Sequence, residues 1–271
     1  MTSPTLADDL AVALTLAAEA DLISIDRYRA QDLQVQLKPD RTEVTDGDTR
    51  VERMIRDHLA SARPDDAILG EEFGSEGVDA DRGEHASSRT WVIDPIDGTA
   101  NFVRGVPIWG TLISLVVDGV PEVGVVSAPA LSRRWWAATG HGAWLEAHGE
   151  PARRIHVSAV DTLADATLSY NSLKGWDDAG RSAQLLDLSR AVGRTRAFGD
   201  LWSYMLLAEG AIDIAGEFDL KPWDIAALVP ILREAGGRTT AMDGTDSIDA
   251  GSLLATNGAL HEGVLAAVSL R

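Results

Sequence analysis

Cysteine is absent from the 271-residue chain, which excludes a disulfide scaffold, cysteine-ligated zinc, an iron–sulfur cluster and thiol catalysis. Positive charge is scarce: 24 Lys and Arg stand against 42 Asp and Glu, a net charge of −18. Such a body repels a phosphate backbone, so any anionic substrate must be small and brought in through metal ions or a local cluster of donors. Long apolar runs are missing too, and no stretch approaches the roughly 18 residues of a membrane span. Asp8 and Asp9 stand where a signal peptide would carry positive charge, and the expected compartment is the cytoplasm. None of the six histidines has metal-ligand spacing, and no internal repeat or low-complexity linker is visible. What is present is 45% hydrophobic residues, enough for one large domain or two modest lobes around a buried core.

Apolar residues at helical spacing (Leu10, Leu14, Ala17, Ala18, Leu22) predict a helix over 5–28. A short strand is expected at 34–37 and a second helix at 46–60, with Val51, Met54, Ile55 and Leu59 on one face. Residues 67–70 and 90–93 are short apolar runs that end in acids, and the polar, Gly-rich segment 74–88 between them reads as a mobile surface loop. An antiparallel meander is predicted from strands at 111–117, 123–127 and 134–138, divided by Asp118-Gly119 and Gly140-His141-Gly142. Beyond a strand at 167–170, helices are expected at 178–191, 201–210, 223–235 and 259–268, with strands at 194–197, 212–215 and 252–255. The pattern implies layered sheets and helices.

The most informative stretch is Asp94-Pro95-Ile96-Asp97-Gly98-Thr99, in which an apolar strand runs into two aspartates three apart. Pro95 fixes its own φ and favours an extended Asp94, so the turn can aim both carboxylates and the Ile96 carbonyl at one point. Hard divalent cations such as Mg²⁺ take that all-oxygen supply. The free N–H groups of Gly98 and Thr99, opening a helix, form a donor nest for an anion. A single Asp-Pro or Asp-Gly is most often only a turn. Here a second acidic strand end, Gly70-Glu71-Glu72, and a third acid at Trp223-Asp224 have to be explained as well.

These segments, with Asn101-Phe102 and Glu234-Ala235-Gly236-Gly237, resemble the signatures of the inositol monophosphatase family, Mg²⁺-dependent phosphatases, with matching order and spacing from about Leu10 to Val268. The resemblance implies an α/β fold, a layered αβαβα sandwich of the inositol monophosphatase and fructose-1,6-bisphosphatase type, frequently a homodimer. It further implies one phosphatase unit over 1–271, in two lobes: a metal and phosphate lobe at about 1–150 and a substrate-specificity lobe at about 151–271. Glu71, Asp94 and the Ile96 carbonyl would hold a first metal, and Asp94, Asp97 and Asp224 a second, with two or three Mg²⁺ per site. Glu71 would also order a water. The acid paired with Thr99 to deprotonate the attacking water falls on Asp48, with Asp46 one step away as the alternative. Catalysis would thus rest on Glu71, Thr99 and Asp48, with no protein nucleophile. Two metals lower the pKa of the attacking water and clamp entering and leaving oxygens in line.

Asp97, Gly98, Thr99, Asp200, Glu217 and Asp224 are the expected substrate-binding residues. Glu217 lies seven positions before Asp224, where the family binds the organic part of its substrate. Asp200, seventeen further back, stands where inositol phosphatases tend to have a small or neutral residue. An extra desolvated acid suits a cationic group better than a polyol, although Asp200 alone could be a helix N-cap. The segments 101–109, 132–137 and 198–200 are similar to the actinobacterial branch that hydrolyses histidinol phosphate in histidine biosynthesis. The alternatives are an inositol-1-phosphate phosphatase, a regulatory binding protein on the same fold and, with no basic cluster for a second phosphate, a bisphosphate phosphatase. The partner is a small phosphate ester, without nucleic acid or membrane. Trp109 and Trp202 are candidates for the substrate mouth, and Arg133-Arg134 and Arg153-Arg154 are expected to be solvated or at a subunit interface.

Overall fold

In the computed structural model, residues 4–39, 41–77 and 88–269 are described. Helix α1 (Leu6–Arg27) starts at a reciprocal capping box: Asp8 N–H donates to Thr5 Oγ1 and Thr5 N–H to Asp8 Oδ2. A small hairpin, β1 (Val35–Leu37) and β2 (Glu43–Thr45), leads into α2 (Asp46–Ala62). An eight-stranded sheet follows, from β3 (Ala67–Gly70), β4 (Gly74–Glu76), β5 (Arg89–Asp97), β6 (Gly110–Val117), β7 (Val120–Ala128), β8 (Arg133–Ala138), β9 (Ala143–Ala147) and β10 (Arg153–Arg154), with α3 (Thr99–Val103) after β5. Its order is β10-β9-β8-β7-β6-β5-β3-β4. Among the described residues its one parallel pair is β3 with β5.

The second sheet, ordered β12-β11-β13-β15-β14, comprises β11 (Thr167–Ser169), β12 (Arg194–Arg196), β13 (Ile214–Phe218), β14 (Arg238–Thr240) and β15 (Ser252–Thr256). Its helices are α4 (Leu173–Asp178), α5 (Ser182–Ala191), α6 (Asp200–Ala208), α7 (Pro222–Ile225), α8 (Leu228–Glu234) and α9 (His261–Val268). Three apolar layers bind the stack. Ala13, Leu16, Ile55 and Leu59 of α1 and α2 bury the outer face of the large sheet. Leu201, Met205, Ile231 and Leu232 of α6 and α8 fill the space between the sheets. Trp176, Leu185, Leu188 and Val264 cover the far face of the second sheet. The result is the expected αβαβα sandwich. Arginines stand exposed on three edge strands: Arg153 and Arg154 on β10, Arg194 and Arg196 on β12, and Arg238 on β14.

The structure corrects the sequence reading in a few places. The helix expected at 178–191 begins only at Ser182, as α5, because Gly180 takes φ +69° and separates it from α4, which ends at Asp178. The helix expected at 223–235 divides at 226–227. Pro230 has no N–H to give the Ala226 carbonyl, and the Ser114 hydroxyl of β6 is shared between that carbonyl at 3.1 Å and the Val123 carbonyl at 2.8 Å. Part of the expected loop at 74–88 is β4, paired antiparallel with β3, and residues 78–87 lie outside the described residues. Trp109 is fully buried against Tyr28 and Phe102, so it belongs to the core and not to a substrate mouth. Trp202 packs on Trp135 and under Arg133. Arg133 and Arg134 are half-buried and pair within the chain, with Glu209 and Asp21, whereas Arg153 and Arg154 are exposed as expected, Arg153 also reaching Glu209.

Candidate active site

Two features of the large sheet bring the first acids together. Because β3 and β5 run parallel, their C-terminal ends lie side by side, and Glu71 N–H donates to the Ile93 carbonyl at 3.2 Å. In a regular strand, residues three apart point to opposite faces. The β5–β6 register shifts between Asp94 and Asp97, and this irregularity, at the one residue of the strand without an N–H, turns both carboxylates toward the same side. Thr111 Oγ1 holds the Pro95 carbonyl at 2.8 Å. Asp224 arrives from the middle layer on α7, its Oδ2 accepting Lys221 N–H at 2.7 Å.

One carboxylate oxygen each from Asp94, Asp97 and Asp224 lies within 4.8 Å of the others. Asp94 is 2% exposed, and its Oδ1 is buried without a hydrogen-bond partner. Burial, followed by the charges of Glu71, Asp97, Asp224 and Asp48, pushes the Asp94 pKa well above the usual carboxylate range. Burial and then Asp200 and Asp224 do the same to Asp97; burial is also the leading cause at Asp224, pushed up to about 7. Among the described residues no lysine or arginine forms an ion pair with any of the three. A set of hard oxygen donors, Asp94 buried and Asp97 and Asp224 half-buried, with one oxygen orphaned, fits a divalent cation. Glu71 stands just outside the trio, with Lys38 Nζ bridging it to Glu72 at 2.8 Å each.

Thr99 Oγ1 is 2.9 Å from the Ile96 carbonyl and 3.3 Å from Asp48 Oδ1. Asp48 also closes the capping box of α2, its Oδ2 accepting Thr45 N–H at 2.8 Å, and burial pushes its pKa up to about 6. Asp46 faces elsewhere, paired with Arg27 and Arg50 at 3.0 Å. Gly98 takes φ +84°, and a Cβ there would lie 3.0 Å from the Ile108 carbonyl, so only glycine lets the chain enter α3 beside the acids.

Next to the trio is a cavity of about 160 Å³ lined by Asp97, Asp200, Tyr204, Glu217, Asp224 and three leucines. Asp200 accepts Asn101 Nδ2 at 2.7 Å, and Glu217 accepts Asn171 Nδ2 at 2.6 Å. Burial raises both, Glu217 up to about 7. Asp200 is not the cap of α6: it has φ +46°, and the Leu201 N–H is taken instead by Asp97 Oδ2 at 2.7 Å. The cap reading of Asp200 is thereby corrected.

A family profile described as the inositol monophosphatase family matches residues 6–270. The chain belongs to that family. It is 51% identical to a histidinol-phosphatase of Mycobacterium tuberculosis over 95% of this chain and 96% of the relative, and 48% identical to one of Streptomyces coelicolor over 99% of both. The solved inositol monophosphatase from Zymomonas mobilis superposes with a TM-score of 0.81 at 30% identity, over 99% of this chain and all of that one. As in this family of metal-dependent phosphatases generally, the protein is a phosphoric monoester hydrolase.

Lys38, Asn171 and Tyr204 were not singled out in the sequence. Tyr204 carries a usable signal, since it lies four positions after Asp200 and so on the same helix face. Asn171 follows a strand end, a weaker hint, and nothing marks Lys38.

In the metal-free protein the raised carboxyls hold protons that the unfolded chain has already lost. Between about pH 4, where unfolded carboxyls titrate, and about pH 7, where Asp224 and Glu217 titrate in the fold, stability therefore falls as pH rises. His261, lowered by burial, acts the other way, one imidazole against the whole acidic cluster. The melting temperature without metal is expected to drop from pH 5 to 7.5, and a divalent cation to remove the drop. At a hundredfold excess over Kd the gain is about 2.7 kcal/mol, roughly 5 °C or more. A metal-free melting curve that does not move over that range would contradict the assignment.

Proposed function

We propose that the protein hydrolyses L-histidinol phosphate to L-histidinol and phosphate, with Mg²⁺ as the metal. The observation that carries this reading is the cavity beside the metal cluster, where Asp200 and Glu217 face in and no cation is among the lining residues. A neutral polyol leaves two desolvated acids unpaired, whereas an amine and an imidazole pair them. The two histidinol-phosphatases at about half identity support the same substrate.

In this reading Glu71, Asp94, Asp97, Asp224 and the Ile96 carbonyl hold two or three Mg²⁺. When bound, the ions supply an activated water and neutralise charge on the phosphoryl oxygens. Thr99 Oγ1 takes a proton from the attacking water while passing its own to Asp48 Oδ1. The Gly98 and Thr99 amides orient the phosphate, and Asp200 and Glu217 orient the organic end. The protein works in the cytoplasm as a homodimer on a small ester, without nucleic acid or membrane, its two lobes supplying metal centre and specificity.

The test is phosphate release from L-histidinol phosphate and inositol-1-phosphate, with Mg²⁺ and with EDTA. The first is expected to be preferred by at least tenfold in kcat/KM, and EDTA to abolish both. Asp200→Asn removes the charge in a side chain that tolerates positive φ. It is expected to cost about 10- to 100-fold on histidinol phosphate and less than about threefold on inositol-1-phosphate. Equal losses on both esters would refute the charge-pairing argument.

A further inference from the structure

Tyr204 is 2% exposed, and its phenolic oxygen is buried without a hydrogen-bond partner. A buried unpaired hydroxyl is destabilising, and phenylalanine would fill the same space without that penalty. The side chain lines the cavity beside the metal cluster together with Asp97, Asp200, Glu217 and Asp224. These are the charged groups facing it; none is hydrogen-bonded to it, and their field together with burial keeps the phenol neutral. A neutral phenol can still accept a hydrogen bond.

Asp200 and Glu217 share a construction that shows what the phenol is for. Each accepts a single hydrogen bond from the protein, in both cases from an asparagine amide, Asn101 to one oxygen of Asp200 and Asn171 to one oxygen of Glu217. The second oxygen of each is left for a ligand. The Asn171 amide is held on its other side by the Ser169 and Ser203 hydroxyls, which are also bonded to each other, while the Glu217 carboxylate takes its N–H. Asp200, Glu217 and Tyr204 therefore line the same small cavity, with the phenol oxygen enclosed in its wall.

Resting on the histidinol-phosphate reading, we propose that Asp200, Glu217 and Tyr204 form a three-acceptor seat for the primary ammonium of the substrate, with Tyr204 the residue that selects it. A primary ammonium has three N–H donors, one for each acceptor, whereas an imidazolium has two and a polyol hydroxyl one. The seat thus reads donor number as well as charge. Asp200 and Tyr204 sit four residues apart on α6 and Glu217 on β13, so helix and sheet face the amine from two sides.

The experiment is a double-mutant cycle in kcat/KM: wild type and Tyr204→Phe, each with L-histidinol phosphate and its deamino analogue, the imidazolylpropanol phosphate. Tyr204→Phe is expected to lose about 10- to 100-fold on histidinol phosphate, the effect of one hydrogen bond to a charged group, mainly in KM. It is expected to change the deamino analogue by less than about twofold. Its melting temperature should equal or exceed that of the wild type, because an unpaired buried hydroxyl has gone. Equal losses on the two esters, or a lowered melting temperature, would overturn the seat and assign the hydroxyl a structural role. A wild type that turns over histidinol phosphate with additive losses refutes the seat alone. A wild type that ignores histidinol phosphate and hydrolyses inositol-1-phosphate refutes the substrate reading and the seat with it.

Discussion

Asp94→Asn is expected to lower kcat by a thousandfold or more and at the same time to make the metal-free protein more stable at pH 8. Asp94 sits at the centre of the acidic cluster, 2% exposed, with one oxygen unpartnered. Its charge is opposed by burial and by four neighbouring acids. The amide keeps the shape and removes the charge, so the native state is relieved of the repulsion. Each pKa unit of that repulsion corresponds to about 1.4 kcal/mol, and a gain of about 1–2 kcal/mol is expected by denaturant titration. The same change removes the anionic oxygen through which the cluster competes for a cation, so the thermal shift on adding Mg²⁺ should shrink or vanish. A variant with lost activity, undiminished metal response and lowered stability would show Asp94 to be a scaffold residue.

The second large effect is expected at a glycine remote from the chemistry. Gly124 of β7 lies under the turn that joins α7 to α8, and a Cβ there would stand 2.2 Å from the Ala227 carbonyl oxygen and 2.7 Å from Pro230 Cγ. Both obstacles resist displacement, one being backbone and the other a ring. Gly124→Ala must therefore move the helix pair by about 1 Å, and α7 carries Asp224. Overpacking of this kind costs about 1–3 kcal/mol, sometimes more, and a displacement of that size at a reacting geometry costs about a hundredfold in rate. The expected variant is less stable by about 3 kcal/mol, with kcat lowered about a hundredfold and a higher Mg²⁺ requirement. Near-normal activity together with reduced stability would mean that Asp224 is held by contacts other than this packing.

Acids at strand ends were legible because nothing structural asks for them there. Glu71, Asp94 and Asp97 follow apolar runs whose partners would ordinarily be turn residues, and their order along the chain carried the fold with it. Tyr204 was legible only in position: four residues after Asp200 in the helix Asp200–Ala208 it shares that face, but only the three-dimensional environment shows that its hydroxyl lacks a partner. Trp109 failed in the opposite direction, since an aromatic beside a motif looks the same in sequence whether it sits at a rim or in a core. Asp200 was open to reading as a cap because the true cap, Asp97, is 104 residues away. The break before Pro230 was visible as a proline, but apolar periodicity ran on through it and hid the turn.

The arginines on β10, β12 and β14 bear on how copies of this protein can meet. A sheet rim offers a row of unsatisfied amides that another chain could extend into a continuous ribbon, and a bulky cation at the rim discourages that growth. In a protein with so few cations, their presence on these three rims disfavours pairing of copies through β10, β12 or β14, whereas the fourth rim, β4, carries no such guard.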